Sequence, residues 1–434
     1  MGGLIPYYAF ERLSQEKSSD EANPKDLDRL AAGGWRLAVV TLVVALPLQA
    51  SEEFRAEKKF SMTSIGSNKD GFRFTEAIDI NNQGLIVGIS QFPSGAKRPF
   101  LWENGTIIGL GNLNGFTCQP MDINDQDQII GSCLLDSDNN ENKRYHPLQQ
   151  SFVNRSILWH KGVMTDLGAL SGGYTVASKI NERGQIVGYS QFISDSNNEP
   201  HAFLWENGAM TDLGTLDRAS IAVDINERGQ VIGNSIVDSN QNHAVLWENG
   251  IMTDLGTLDN KPGSGSSAMD INKFGQVVGC SMLEKSNGDD SLIILHAFLW
   301  ENGVMTDLGT LGGNESCAVA INDHGQIIGN SQTTAGEYRA FLWENGAMID
   351  LGTLDSKRII ATAINNSGQI VGHKELREGS DKNYAFFWEN GEIIDLGVLR
   401  NDSNKIVINE NTQVIGTKYI PSKSLKRAVL WERK

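Results

Sequence analysis

The chain has 434 residues, with 53 Asp and Glu against 37 Lys and Arg and a formal net charge of −16. This charge excludes a nucleic-acid partner, because proteins that bind nucleic acid need a basic surface to displace counterions from phosphate. Forty-six glycines, only ten prolines and many Asn and Asp residues favour a turn-rich all-β protein over a helical one.

The N-terminal segment, residues 1–59, differs in composition from the rest of the chain. Its apolar run at 37–48 resembles the hydrophobic core of an export signal that is cleaved after Ala50. The run is shorter than the roughly 17 to 25 residues of a membrane span, so we predict none. The alternative is a small folded segment, with a helix over 23–32 and a strand over 35–44. We favour export.

The remainder, residues 60–434, is one repeat domain with two anchors in each unit. The first anchor is a tryptophan that follows an apolar pair, and the second is an asparagine that follows isoleucine. The anchors are Trp102, Trp159, Trp205, Trp247, Trp300, Trp343, Trp388 and Trp431, and Asn81, Asn124, Asn181, Asn226, Asn272, Asn322, Asn365 and Asn409. Eight copies of one unit are therefore present.

Each unit is typical of four short strands joined by Asn- and Gly-bearing turns. A four-stranded period of this length predicts an all-β fold, a β-propeller with eight blades. Seven blades are the alternative if a degenerate unit merges with its neighbour. Residues 62–66 copy the strand that follows each internal tryptophan, whereas no such strand follows Trp431. We therefore predict that the N-terminal strand completes the last blade and closes the ring.

The string His-Ala-Phe-Leu-Trp-Glu-Asn-Gly at 201–208 recurs at 296–303, and the segments that follow both strings read MTDLGTL. Over residues 62–434 the chain resembles the HAF repeat family of bacterial proteins thought to be extracellular. The resemblance implies an exported β-rich module, without a ligand or reaction. The histidine position holds His201, His243 and His296 in three units, and Arg98, Arg339 and Tyr384 in three others.

An aspartate also recurs at one position, as Asp166, Asp212, Asp254, Asp307, Asp350 and Asp395. Because acid–base catalysis needs carboxyl groups in different environments, we interpret these copies as structural groups that bind loop amides. We likewise interpret the tryptophans as core between blades.

The sequence predicts no metal site, no cofactor and no catalytic residue. The three histidines fall one to a unit, which gives no support for zinc, and the loop 136–141 lacks the glycine and glutamate of a calcium loop. No cofactor or hydrolase motif stands in a matching context.

The cysteines allow one pairing. Cys118 and Cys133 lie almost symmetrically about a hairpin turn, so a disulfide between them is expected if the protein is exported. Cys280 and Cys317 fall in different units, and we predict no bond between them.

Insertions in the repeat predict a binding surface. In a meander, the connection after every second strand emerges on the same side. Insertions are found after the strand with the QIVG pattern, at 134–156, 191–200, 236–242, 282–295 and 374–383, and after an MTDLG strand, at 259–267. Long loops on a rigid scaffold commonly carry recognition. We expect this side to bind a partner, foremost through Lys143, Arg144, Tyr145 and His146.

The function that follows is a non-enzymatic binding or surface-interaction module, outside the cell or in its envelope. We expect a monomer whose partner is an unidentified protein or glycan. The alternative is an extracellular carbohydrate-active enzyme, a hydrolase or lyase with its site at the mouth of the central channel. A purely structural envelope component is a third interpretation. A convergent cluster of non-repeated ionisable residues would favour the enzyme, and none is evident in the sequence.

Overall fold

The computed structural model describes thirteen stretches of the chain, all in the unit Ser51–Lys434. They are residues 59–66, 74–91, 97–111, 118–136, 152–192, 199–237, 241–287, 290–353, 356, 358–375, 382–400, 405–420 and 425–434. Among these residues no helix has the length and apolarity that a bilayer span requires. The predicted export signal at 37–48 lies outside the described residues and stays a prediction.

The described secondary structure consists of thirty-two strands. The strands of the first four blades are β2 (Phe74–Ile80), β3 (Ile86–Gln91), β4 (Lys97–Glu103) and β5 (Thr106–Gly109); β6 (Cys118–Ile123), β7 (Ile129–Asp136), β8 (Phe152–His160) and β9 (Val163–Asp166); β10 (Thr175–Ile180), β11 (Ile186–Gln191), β12 (Pro200–Glu206) and β13 (Ala209–Gly214); β14 (Ser220–Ile225), β15 (Val231–Val237), β16 (Gln241–Glu248) and β17 (Ile251–Asp254). Those of the last four are β18 (Ser266–Ile271), β19 (Val277–Asn287), β20 (Asp290–Glu301) and β21 (Val304–Asp307); β22 (Gly312–Ile321), β23 (Ile327–Thr333), β24 (Tyr338–Glu344) and β25 (Ala347–Asp350); β26 (Arg358–Ile364), β27 (Ile370–Glu375), β28 (Lys382–Glu389) and β29 (Glu392–Arg400); β30 (Val407–Ile408), β31 (Val414–Ile420), β32 (Leu425–Arg433) and β1 (Phe60–Ile65).

Each blade is an antiparallel meander whose first strand lies nearest the axis, and each first strand lies against the first strands of both neighbouring blades. The eighth blade takes its outer strand from the beginning of the chain, because β1 pairs with β32 from Phe60↔Arg433 to Ile65↔Ala428. The prediction of an all-β propeller with eight blades, closed by the N-terminal strand, is confirmed. A single pairing, Leu399↔Lys418, also joins blades 7 and 8.

The repeated turn and strand residues have local physical causes. In the turn between β12 and β13, Asn207 and Gly208 have φ values of 52° and 85°, the left-handed conformation that a two-residue hairpin requires. In blades 1 to 7, the glycine within the second strand faces a bulge of the first strand. A Cβ on Gly233 would lie 2.0 Å from the Ile221 carbonyl oxygen, so no larger residue fits there without a backbone shift.

The hydrophobic core lies in the seams, by which we mean the contacts between neighbouring blades. One cluster joins Trp102 and Phe100 of blade 1 to Ile65, Ile415 and Leu430 of blade 8. Another joins Trp247 and Val245 of blade 4 to Val187 and Ala202 of blade 3. The interpretation of the tryptophans as core between blades is confirmed, and every seam combines side chains from two repeats.

Two of the insertions that we predicted to be loops are mostly strand. Residues 282–295 belong mostly to β19 and β20, which are paired as far as Asn287↔Asp290, and residues 236–242 belong mostly to β15 and β16. The extra residues therefore lengthen the blade hairpins.

Candidate functional site

The two sides of the propeller differ in how regular their connections are. On one side, here called the turn face, every first-to-second connection has five residues and every third-to-fourth connection within the chain has two. On the other side, the loop face, second-to-third connections range from two residues in blade 5 to fifteen in blade 2, and connections between blades range from four to eleven. Connections of variable length are thus confined to the loop face, as predicted from the positions of the insertions.

A closed ring of hydrogen bonds ties the turn face together at the channel. The Nδ2 of each anchor asparagine donates to the backbone carbonyl of the anchor asparagine in the next blade, at 2.9 to 3.1 Å. The last bond, from Asn409 to the Asn81 carbonyl, closes the asparagine ring. Each asparagine Oδ1 also accepts backbone N–H groups of its own turn, such as those of Ser367 and Gln369 at Asn365. The repeated asparagine therefore has a structural role at every seam.

The repeated aspartates are structural as well, as interpreted from the sequence. Each accepts the backbone N–H of the glycine two residues later at 2.7 to 2.8 Å, as Asp166 does from Gly168. Where the repeat has a histidine, its Nδ1 lies 2.9 Å from the aspartate of the same blade, in the pairs His201–Asp212, His243–Asp254 and His296–Asp307. The hydrogen bond that Asp254 accepts from the His243 ring raises the pKa of His243. These pairs lie in three separate blades, and within the described stretches no group of three His, Cys, Asp or Glu residues could hold a metal ion.

Both cysteine pairs lie at positions where other blades use polar side chains. Cys118 and Cys133 face each other across β6 and β7 with their Cα atoms 4.1 Å apart, and a disulfide joins them. Five other blades have two hydroxyls at this place: Thr75/Ser90, Thr175/Ser190, Ser220/Ser235, Ser266/Ser281 and Ser316/Ser331. These hydroxyls bridge neighbouring segments, as Ser220 does by accepting from Ala202 N–H and donating to the Gly214 carbonyl.

The second cysteine pair corrects the sequence analysis. Cys280 of β19 and Cys317 of β22 are bonded, with Cα atoms 4.9 Å apart, although they belong to different units. They meet because they face each other across the seam between blades 5 and 6. In the neighbouring seams, the position of Cys280 is held by Asn234 and Asn330, whose Oδ1 atoms accept backbone N–H groups of the next blade.

We expect the double variant Cys118→Ser with Cys133→Ser to fold, because it restores the hydroxyl pair that five other blades carry. Its free energy of unfolding should fall by at most about 3 kcal/mol, the contribution of a disulfide that closes a 15-residue loop. Urea unfolding of the oxidised protein measures the change, and the single variant Cys118→Ser, which leaves an unpaired thiol, is the control. A double variant less stable than the single one would show that the hydroxyl pair cannot replace the bond.

The four residues predicted to bind, Lys143, Arg144, Tyr145 and His146, lie outside the described residues. The structure instead reveals a cluster that sequence reasoning missed, here called the channel arc. It lies on the first strands of blades 1 to 5, two residues before each anchor asparagine, and consists of Asp79, Asp122, Lys179, Asp224 and Asp270. Blades 6 to 8 have Ala320, Ala363 and Val407 there. In the sequence, this cluster was marked only by a change of residue type from repeat to repeat at this position, which stands next to an isoleucine that all eight repeats share.

The arc spans several seams. Asp79 accepts a hydrogen bond from Ile123 N–H of the next blade at 3.3 Å, and Asp122 accepts one from Ile180 N–H at 3.0 Å. The Lys179 ammonium binds the Asp122 carboxylate at 2.9 Å, and 45% of the lysine side chain stays exposed. The arc is therefore built into the ring and remains accessible at its lysine.

Two pairs of carboxyl groups in the arc interact electrostatically across a seam, Asp79 with Asp122 and Asp224 with Asp270. Burial, followed by the charge of Asp122, raises the pKa of Asp79 to about 7. Burial also acts to raise the pKa of Asp122, but Lys179 and the hydrogen bonds outweigh it and hold that pKa below its ordinary value. Burial and the charge of Asp224 raise the pKa of Asp270 well above its ordinary value.

Comparison with known proteins gives structural relatives but no activity. The chain is similar to the β-propeller domain of the Trilobed protease from Pyrococcus furiosus, with 11% identity, a TM-score of 0.44, and coverage of 71% of this chain and 93% of that one. It is similar to TolB from Acinetobacter baumannii, with 12% identity, a TM-score of 0.34, and coverage of 72% and 80%. It is also similar to oligogalacturonate lyase from Vibrio parahaemolyticus, with 9% identity, a TM-score of 0.43, and coverage of 86% of this chain and 93% of that one. No curated protein matches the sequence. Residues 165–399 match the model of a family described as a protein of unknown function, DUF3466.

Proposed function

Because the chain belongs to the DUF3466 family, whose description gives no activity, we propose from the structure alone that it is a binding protein acting through its loop face. The observation that carries the proposal is the contrast between the two faces. The turn face has identical connection lengths and a closed asparagine ring, whereas loop-face connections range from two to fifteen residues. A rigid scaffold with variable loops on one side is a common arrangement for recognition.

The roles of the repeated residues support binding over catalysis. The anchor asparagines, the aspartates and the tryptophans are each occupied by contacts that recur around the ring. A catalytic group usually stands in an environment that differs from its neighbours, because its pKa has to differ too. The partner is a protein or a glycan, and we propose that the chain acts as a monomer.

We place the protein outside the cell or in its envelope. Two disulfides support this location, since such bonds persist in oxidising compartments and are rare in the cytosol. The apolar run at 37–48 and the resemblance to HAF repeats agree with export and stay predictions.

A loop graft tests the proposal. We expect that replacing residues 137–151 by the four-residue connection 334–337 of blade 6 keeps the fold and reduces binding by at least tenfold, because the loop with Lys143 to His146 is removed. Binding is measured on a printed array of neutral and acidic oligosaccharides, and by cross-linking to extracellular proteins if no oligosaccharide binds. Circular dichroism and urea unfolding confirm that the grafted chain is folded.

The matched control is Phe274→Ala, which removes a side chain that is 58% exposed on the turn face. It should bind as the unchanged chain does. Retained binding by the loop graft, together with a loss in Phe274→Ala, would move the site to the turn face and overturn the proposal.

The channel arc favours a second candidate, a carbohydrate-active hydrolase or lyase. The pKa of Asp79 is raised and that of the neighbouring Asp122 is lowered, and such a difference is how paired carboxyl groups divide the roles of acid and base. This pair lies near the turn end of the channel. Cleavage of an oligosaccharide by the protein, abolished in Asp122→Asn, would replace binding with catalysis as the function.

A further inference from the structure

Charge is distributed unevenly over the propeller. Residues 1–350 carry 24 Lys and Arg against 43 Asp and Glu, whereas residues 351–434, which form most of blades 7 and 8, carry 13 against 10. Four acidic residues of these two blades lie at the turn face: Glu389, Glu392, Glu410 and Glu432. The positive charge of blades 7 and 8 is therefore greatest at the loop face.

Basic residues also stand opposite each other near the loop-face ends of neighbouring strands. In blade 7, Lys382 of β28 is paired with Arg400 of β29, and in blade 8, Lys418 of β31 is paired with Arg427 of β32. The pairing Leu399↔Lys418 joins the two sets across the seam. Because like charges at opposed positions destabilise a sheet, this arrangement favours a role in binding an anion over a role in folding.

Three cations of this region have little or no internal charge partner. Lys405 is exposed and Lys418 is partly exposed, and neither forms an ion pair within the described stretches. The Arg358 guanidinium lies 3.8 Å from the Glu375 carboxylate, and 35% of the arginine side chain is exposed. These three side chains can therefore bind an external anion.

Blades 6 and 7 also have buried basic nitrogens without hydrogen-bond partners near the loop face. Six buried side-chain nitrogens of the described residues have no such partner. Two are the indole nitrogens of Trp159 and Trp247, and the other four belong to Arg339, Arg358 and His373, toward the loop-face ends of their strands. A buried polar nitrogen without a partner costs stability, and a ligand with hydroxyl and anionic groups would remove that cost.

We propose that the loop face of blades 7 and 8 binds an acidic oligosaccharide, whose carboxylate or sulfate groups are held by Arg358, Lys405 and Lys418. This assignment rests on the proposed function and names the class of ligand that the loop face takes. The charged groups of such a ligand recur along its chain, as the basic residues recur across the two blades. Guanidinium and ammonium groups bind carboxylates and sulfates by charge-assisted hydrogen bonds.

The groups beside these cations suit a sugar ring better than a bare anion. The Arg358 guanidinium lies 5.7 Å from the centre of the Tyr338 ring, and the Lys374 ammonium lies 5.7 Å from that of Tyr384. Both tyrosines are partly exposed, and each combines an apolar ring with a hydroxyl. Burial, followed by the charge of Arg358, lowers the pKa of His373 to about 4, so its neutral ring can pair with a hydroxyl.

Calorimetric titration of the full chain tests the class of ligand. The matched probes are β-1,4-linked hexamannuronate and mannohexaose, which differ by a carboxylate in place of a hydroxymethyl group on each ring, and a chondroitin sulfate hexasaccharide is a second acidic probe. We expect an acidic probe to bind at least about tenfold more tightly than mannohexaose, the effect of one charge-assisted hydrogen bond. Acidic probes that bind no more tightly than mannohexaose, or less tightly than hexaglutamate or hexathymidylate, would overturn the assignment.

Two charge-matched double variants locate the site. Arg358→Gln with Lys418→Gln should weaken binding of the acidic probe at least about tenfold. Arg183→Gln with Arg228→Gln removes as much charge from exposed turn-face positions and should leave the affinity within about twofold. Urea unfolding confirms that both are folded.

The outcomes separate this assignment from the proposed function. Loop-face binding of a neutral sugar or a protein, unaffected by the first double variant, would overturn the assignment alone. Binding of the acidic probe that is kept in the first double variant and lost in the second would overturn both.

The salt dependence of binding needs no variant to fold. Raising sodium chloride from about 50 to about 500 mM should weaken binding of the acidic probe at least about tenfold and leave that of mannohexaose unchanged, because salt screens partly exposed charges. Binding of the acidic probe that does not change with salt would contradict an ionic site.

Discussion

Ile65→Asp should prevent stable closure of the ring and lower the free energy of unfolding by more than about 4 kcal/mol, as expected for an unpaired buried charge. Ile65 is fully buried at the end of β1, within the core between blades 8 and 1. A carboxylate there would separate β1 from β32 and expose the β32 edge to other chains. Urea unfolding and size-exclusion chromatography would measure the loss of stability and the association of chains.

Thr63→Asp, an exposed change in the same strand, is the matched control and should shift stability by less than about 0.5 kcal/mol. Equal behaviour of the two variants would mean that β1 contributes little to closure. In that case the asparagine ring and the seam cores would hold blades 8 and 1 together without the N-terminal strand.

The second large effect is expected from Asn365→Ala. Asn365 is buried, donates to Gln369 Oε1 at 2.8 Å and to the Asn409 carbonyl at 3.1 Å, and accepts two backbone N–H groups of its turn at 3.1 Å. Removing the amide breaks all four bonds and leaves the buried Gln369 N–H without its acceptor, whereas the Asn409 carbonyl and Gln369 Oε1 each keep a bond from Thr412. We expect a cost of about 3 to 4 kcal/mol. Thermal or urea unfolding measures this loss.

Ser367→Ala, at the exposed tip of the same turn, should have almost no effect, because only the Ser367 backbone contacts the ring. If the two variants lose the same stability, the ring would be a consequence of the fold and not a source of its stability. Faster hydrogen exchange at the seam between blades 7 and 8 in Asn365→Ala alone would locate the effect.

The architecture could be predicted because its determinants occur eight times. Each tryptophan and each anchor asparagine performs the same task in its own blade, so one pattern and its period were enough to give strands, blades and closure. The missing strand after Trp431 and the extra one at Phe60–Ile65 predicted how the ends meet. The mistaken loop at 282–295 shows the limit, because an insertion in a repeat does not reveal whether it pairs.

The channel arc and the Cys280–Cys317 pair could not be predicted for a different reason. Each depends on residues from two units that meet across a seam, whereas the period of the sequence reports only what recurs within single units. Asp79 and Asp122 are 43 positions apart, and nothing local in the sequence indicates that their carboxyl groups interact. The position that carries the arc also varies from repeat to repeat, so it gives no repeated signal.

The asparagine ring has a consequence for how such a protein grows. In every bond of the ring, one repeat donates an asparagine N–H to the carbonyl of the next repeat. Each repeat therefore brings one donor to one of its joints, the contacts with its two neighbours, and one acceptor to the other. A gene duplication that inserts one whole repeat would therefore supply both halves of two matching joints at once. New chemistry can then arise at single joints, as at the Asp122–Lys179 ion pair and the Cys280–Cys317 disulfide, while the other joints stay unchanged.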